Sequence, residues 1–263
     1  MSDHPIDLQW ERVRAEGRVA LIPYVTAGYP SGSASLDALR MMQETGADLV
    51  EVGIPFSDPL ADGPVIQRST QVALDGGMTV KGMLQLVREA ALGIPVVAFG
   101  YLNPILAYGL RRFLDDATEA GVSGLLLTDL PAGEDVVIER LVCDSSLALI
   151  RLIAPTTGEV RTQQAVSGAE GFIYLISRLG VTGPETSIGA DLAETVQRVR
   201  RISGLPVAVG FGIATGEQAA TVGRLADGVV VGSALVRRMA HGLEPARDLM
   251  LELSSALRKS YEG

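Results

Sequence analysis

Apolar residues fall in short runs that recur along the whole chain. Eight runs rich in Val, Ile and Leu stand out, at 19–25 (VALIPYV), 48–54 (DLVEVGI), 95–101 (PVVAFGY), 124–129 (GLLLTD), 147–154 (LALIRLIA), 171–177 (GFIYLIS), 206–212 (PVAVGFG) and 227–232 (DGVVVG). Between them lie stretches with helical character, among them SLDALRMMQETG, RRFLDDATEAG and LAETVQRVRRISG, each closed by glycine. Glycine in that place is a helix stop signal, since it takes the left-handed conformation without a side-chain clash. Strands alternating with helices predict a parallel sheet covered by helices. Eight such units predict a closed (β/α)8 TIM barrel of the α/β class. The competing architecture is an open doubly wound sheet, which places a Gly-rich turn after its first strand. Here that turn reads TAGYPSG and does not fit G-x-G-x-x-G. No linker or low-complexity segment interrupts the pattern, so residues 1–263 read as one domain with a helix ahead of the first strand.

Two connections exceed a plain loop. PFSDPLADGPVIQRST follows the second run and RLGVTGPETSIGAD the sixth. Barrel active sites lie at the C-terminal ends of the strands, so lid loops are expected at about 55–64 and 178–191. Along DLVEVGI the side chains alternate, which puts Leu49, Glu51 and Gly53 on one face and Val50, Val52 and Ile54 on the other. The uniformly apolar face packs on helices, so Glu51 points into the barrel. A buried carboxylate is costly unless it is paired or its pKa rises. Glu51 is therefore either a structural acid with an internal partner or a catalytic one at a strand end. Asp58 and Asp62 sit in PFSDPLADGP, where Asp beside Pro and Gly also suits a turn. Two acids in different environments can divide acid and base roles.

Three glycine-bearing segments end strands: VTGPE (181–185), VGFG (209–212) and VGSA (231–234). Glycine lets backbone N–H groups approach an anion, and barrels of this class often bind phosphate after strands seven and eight. The same segments also serve as tight turns. Tyr24, Phe99, Tyr101, Tyr174 and Phe211 lie on or near strand ends, where they form either ordinary core or a flat slot for a planar ring. The histidines, His4 and His241, lie away from strand ends, which leaves carboxylates or tyrosine as the acid–base groups. No His, Asp and Glu cluster suggests a metal site.

Composition narrows the class further. The chain has 263 residues, 47% hydrophobic and 20% charged, with a net charge of −9 and one cysteine, Cys143. The acidic balance gives no footprint for nucleic acid, and an anionic substrate must be held locally against the overall field. One cysteine allows no intrachain disulfide. The polar opening MSDHPIDLQWERVRAEGR lacks a signal-peptide core, and no apolar run reaches membrane-spanning length. A cytoplasmic, membrane-free protein is expected.

LVEVGIPFSDPLADGPVIQRS (49–69), supported by LIPYVTAGYP, YLNPILAYG, LLLTDLP, GFIYLISRLGVTG and PVAVGFGI with DGVVVGSALV, resembles the tryptophan synthase α subunit family from about residue 10 to about 245. The resemblance implies retro-aldol cleavage of indole-3-glycerol phosphate to indole and D-glyceraldehyde 3-phosphate. It implies Glu51 as the proton carrier, Asp62 as partner of the indole N–H, and Tyr174 beside the glutamate. Tyr24, Tyr101 and Phe211 would border the indole. Thr182, Gly183, Gly212, Gly232 and Ser233 would bind the rest of the substrate, phosphate included. Asp58 and Pro59 would face a β subunit in an α2β2 heterotetramer. No cofactor is implied in this chain, because pyridoxal phosphate belongs to the β partner. The stretch VTGPE departs from the many members with a basic residue just after VTG, since Pro184 and Glu185 follow here. A stand-alone indole-releasing lyase, a non-catalytic activating subunit and another phosphate-binding barrel are the alternatives.

Overall fold

Each of the eight runs overlaps a parallel strand in the computed structural model, which describes residues 3–176, 185–210 and 212–259. The strands are β1 (Ala20–Thr26), β2 (Val50–Gly53), β3 (Val96–Gly100), β4 (Val122–Leu127), β5 (Ala148–Ile153), β6 (Ile173–Ile176), β7 (Val207–Gly210) and β8 (Gly228–Val231). They pair in chain order and β8 returns to β1, from Ala20↔Gly228 to Pro23↔Val231. Closure removes the sheet edges and rules out the open doubly wound alternative.

The alternation read along the second run holds. Val50, Val52 and Ile54 join the apolar layer between barrel and helices, while Leu49 joins the cluster inside the barrel. The helices present matching faces. In the helix Leu110–Ala120, Phe113, Leu114, Ala117 and Ala120 are buried at helical spacing, and Gly121 ends it at φ +95°. Phe113 is fully buried, so Phe113→Ala should cost about 3–5 kcal/mol.

The expected N-terminal helix is Pro5–Ala15. Pro5 sits in its first turn, and His4 Nδ1 accepts from the Ile6 N–H at 3.3 Å. Ile6, Trp10 and Val13 form one buried stripe that seals the N-terminal end of the barrel. Trp10 packs on Phe172 at 5.7 Å and lies beneath Gly228, where a Cβ would come within 2.8 Å of the indole ring. With that end filled, the space for a ligand lies at the opposite mouth. The helix Glu185–Ser203 already occupies 185–191 of the stretch expected as a second lid, and the remainder lies outside the described residues. Among the described residues, no helix is long and apolar enough to cross a membrane.

Candidate active site

Glu51 stands on β2 opposite Tyr24 of β1 in the strand register. It is 1% exposed, and among the described residues its Oε1 has no hydrogen-bond partner. Burial without a compensating donor penalises the charged form and pushes its pKa up to about 8. At neutral pH the group is therefore mostly the acid, a store for one transferable proton.

Asp62 arrives from the loop that joins β2 to the helix Pro64–Asp75. The loop turns on itself, with the Asp62 N–H donating to Pro59 O at 3.1 Å and Gln67 Nε2 donating to Asp62 O at 2.9 Å. Tyr101 supports it from behind. Its hydroxyl accepts from the Ala61 N–H at 3.0 Å, its ring packs on Phe56 at 5.3 Å, and it hydrogen-bonds the Asp62 carboxyl. Burial raises the Asp62 pKa to about 6, against the Tyr101 hydrogen bond, which lowers it. The two acids thus titrate on opposite sides of neutrality. Asp58, six residues before the helix Pro64–Asp75, faces solvent, and Leu60, two residues on, is 85% exposed.

Glu51 and Asp62 share the wall of a cavity of about 270 Å³. Tyr24, Phe99 and Tyr174 line it as well. Tyr24 meets Phe99 edge-on at 5.6 Å, and Phe99 meets Tyr174 at 6.5 Å. Two glycines seat the tyrosine tips. A Cβ at Gly53 would lie 2.0 Å from the Tyr24 hydroxyl, and one at Gly210 would lie 2.2 Å from that of Tyr174. Burial holds both phenols above the usual tyrosine range.

Gly212, Gly232 and Ser233 border the same cavity, and Gly212 sits at φ +89°, which favours glycine. Sequence reading missed Arg237, which also lines the cavity from an exposed position. Its one signal is spacing, since it follows Ser233 by one turn of the helix Ser233–Met239. Of the expected site residues, the structure brings Glu51, Asp62, Tyr174, Tyr24, Gly212, Gly232 and Ser233 to one cavity. Tyr101 stands behind Asp62 and is not part of that wall. Thr182, Gly183 and Phe211 lie outside the described residues. Among the described residues, no group of three or more His, Cys, Asp or Glu is placed to hold a metal.

Acids whose surroundings push their pKa values apart are what general acid–base chemistry needs, and this barrel presents them at the end where such barrels work. The fold and the cavity define a (β/α)8-barrel enzyme with two acids at its candidate site. The sequence profile of the tryptophan synthase alpha chain matches residues 10–261. The tryptophan synthase alpha chain of Phenylobacterium zucineum is 44% identical over 97% of this chain and 93% of its own length. That of Caulobacter vibrioides is 46% identical over 90% and 87%. Among solved structures, tryptophan synthase from M. tuberculosis superposes with a TM-score of 0.89 at 37% identity, covering 98% of this chain and all of that one. The alpha subunit from Legionella pneumophila gives 0.90 at 35% identity, with 98% and 100% coverage. The chain belongs to the tryptophan synthase alpha chain family.

Proposed function

We infer that this chain cleaves indole-3-glycerol phosphate into indole and D-glyceraldehyde 3-phosphate and delivers the indole to a β subunit for tryptophan synthesis. The observation that carries the chemistry is a buried Glu51, its Oε1 without a partner among the described residues and its pKa raised to about 8, on an aromatic wall it shares with Asp62.

The indole lies in the slot bounded by Tyr24, Phe99 and Tyr174. Protonated Glu51 donates to indole C3. The ring loses aromaticity and becomes an indoleninium cation. The Asp62 carboxylate accepts the indole N–H and stabilises that charge as it develops. Glu51, now a carboxylate, takes the proton of the hydroxyl on the carbon attached to C3. The C3–C bond breaks, its electron pair restores the indole, and the former carbinol carbon leaves as an aldehyde. Glu51 ends protonated, as it began. The phosphate lies at the end formed by Gly212, Gly232 and Ser233, where Arg237 supplies positive charge in a chain of net charge −9. Pyridoxal phosphate chemistry falls to the β subunit, and the reaction runs in the cytoplasm.

A partner at the C-terminal face is supported by exposed apolar side chains on three consecutive βα segments. Leu60 follows β2, Leu106 follows β3, and Val136 and Val137 follow β4, with exposures of 85, 46, 69 and 71%. Isolated apolar side chains are common on surfaces, but a row beside the active site marks an interaction face. Asp58 and Pro59 lie in that row, toward the β subunit of an α2β2 assembly. The test is indole release from indole-3-glycerol phosphate by the pure chain, with and without a β subunit. Strong stimulation by the partner is expected. Full activity alone would make it a stand-alone lyase, and no indole in either condition would overturn the reaction.

A further inference from the structure

Tyr24 belongs to a chain of hydroxyls that leaves the cavity and ends inside the protein. Its hydroxyl lies 3.3 Å from Thr26 Oγ1, which lies 2.7 Å from Ser69 Oγ. Ser69 Oγ lies 2.8 Å from the carbonyl oxygen of Ile66. Thr26 is fully buried and Ser69 is 1% exposed, so water does not compete for these contacts.

The polarity of this chain is fixed from its far end. A carbonyl oxygen only accepts, so Ser69 spends its one proton on Ile66 O. Ser69 then accepts from Thr26, which spends its own proton. Thr26 is left as an acceptor, and Tyr24 donates to it. The Tyr24 oxygen therefore meets the cavity with lone pairs alone. The oxygen cannot swing away from Thr26, because it rests against Gly53 and the ring is held edge-on by Phe99. Without Thr26, a phenol in this place would offer its proton to the neighbouring carboxylates. With it, Tyr24 takes no Asp62 oxygen from the substrate.

We propose that Tyr24 is a substrate-positioning residue, made an obligate hydrogen-bond acceptor by Thr26 and Ser69, that holds the hydroxyl of the glycerol side chain which does not react. The proposal rests on the lyase reading above. A neutral phenol oxygen is far too weak a base to take a proton, so the hydroxyl it holds keeps its own. The hydroxyl that must lose its proton goes to Glu51. The adjacent one goes to Tyr24, and the bond between their carbons is fixed at both ends. The side chain then presents the reacting hydroxyl to Glu51 in one rotamer.

The test compares indole-3-glycerol phosphate with its analogue lacking only the non-reacting hydroxyl. Turnover of the intact substrate by the unaltered protein reports on the lyase reading. The ratio of kcat/KM between the two substrates reports on Tyr24. Tyr24→Phe should lower kcat/KM for the intact substrate about 5- to 10-fold, as one neutral hydrogen bond is worth, and for the analogue less than about twofold. Ser69→Ala lies outside the cavity wall and removes the acceptor of the Thr26 proton. That proton then turns to Tyr24, whose own proton must point into the cavity. Ser69→Ala should therefore show the same substrate-selective loss, and should add nothing in a Tyr24→Phe background. Equal losses on both substrates would overturn the acceptor role. Additive losses in the double variant would overturn the chain.

Discussion

Glu51→Gln keeps the size and shape of the side chain while removing its charge and its transferable proton. The structure places the acid at a pKa of about 8 against an ordinary 4.5, through burial alone. That difference is worth at most roughly 5 kcal/mol, at ~1.4 kcal/mol for each tenfold change in proton affinity. The sign follows from the direction. The folded chain binds this proton more tightly than the unfolded chain, so the contribution to stability is complete below 4.5 and is lost as pH rises through about 8. About half of the loss, roughly 2–3 kcal/mol, falls between about pH 6 and pH 9. The Gln variant has nothing to titrate at this position. Urea unfolding of both proteins across that range should show the natural chain losing stability relative to the variant by this amount. Other groups titrate alike in both and cancel in the difference. The same variant should lose at least about 100-fold in indole release, the lower range for one general acid–base group. Parallel stability curves would mean that Glu51 is not a buried acid. Near-normal cleavage by a folded variant would mean that it is not the proton carrier.

The other expectations test the remaining parts of the site. kcat/KM should be bell-shaped in pH, falling below about 6 as Asp62 takes a proton and above about 8 as Glu51 loses one; a profile flat across both would remove the acid–base assignment. Asp62→Asn should abolish cleavage with or without a β subunit. Asp58→Asn should leave the isolated chain's rate nearly intact and cut the partner's stimulation about 5- to 150-fold; an equal loss in the isolated chain would put Asp58 in the chemistry. At Gly232 an added Cβ would find its nearest neighbour, Tyr24 Cβ, at an ordinary 3.6 Å. Gly232→Ala should thus fold normally and weaken glycerol phosphate binding while sparing indole, and equal weakening of both in calorimetry would argue against a phosphate cradle there.

The barrel was legible because its signal is repeated eight times, and the inward face of β2 because one residue broke an apolar pattern. Val50, Val52 and Ile54 need an apolar neighbour and Glu51 does not, so a period of two was enough to aim the acid. The same rule is silent one residue past a strand. Tyr101 reads like Tyr24, an aromatic at the end of an apolar run. However, β3 ends at Gly100, and Tyr101 is the N-cap of the helix Leu102–Tyr108. Its direction is set by Phe56 and Ala61, about 40 residues away in sequence, and no local pattern carries that. Asp58 and Asp62 pose the same problem. Both lie among Pro and Gly, and only the grip of Gln67 and Tyr101 on the loop separates the half-buried acid from the exposed one. Arg237 sits in a helix whose composition gives no reason to single it out, until Ser233 is placed at the cavity.

The acids of this barrel divide along its axis. At the N-terminal ends of the strands two carboxylates, Asp48 and Asp227, are compensated. Asp48 takes two hydrogen bonds from Arg18 at 3.0 and 3.2 Å and one from the Leu21 N–H at 3.0 Å. Asp227 takes two from Arg200 and one from the Val207 N–H at 2.8 Å. In both cases the acid ties the start of one strand to its neighbour, and a guanidinium balances the charge. At the C-terminal ends the pattern reverses. Glu51 is more deeply buried than either, yet among the described residues it has no guanidinium partner and its Oε1 is unpaired. An arginine beside it would favour the carboxylate and bring its pKa down. The acid would be ionised at neutral pH with no proton to give to carbon. In the lyase reading proposed above, that lack of compensation is what leaves Glu51 its proton.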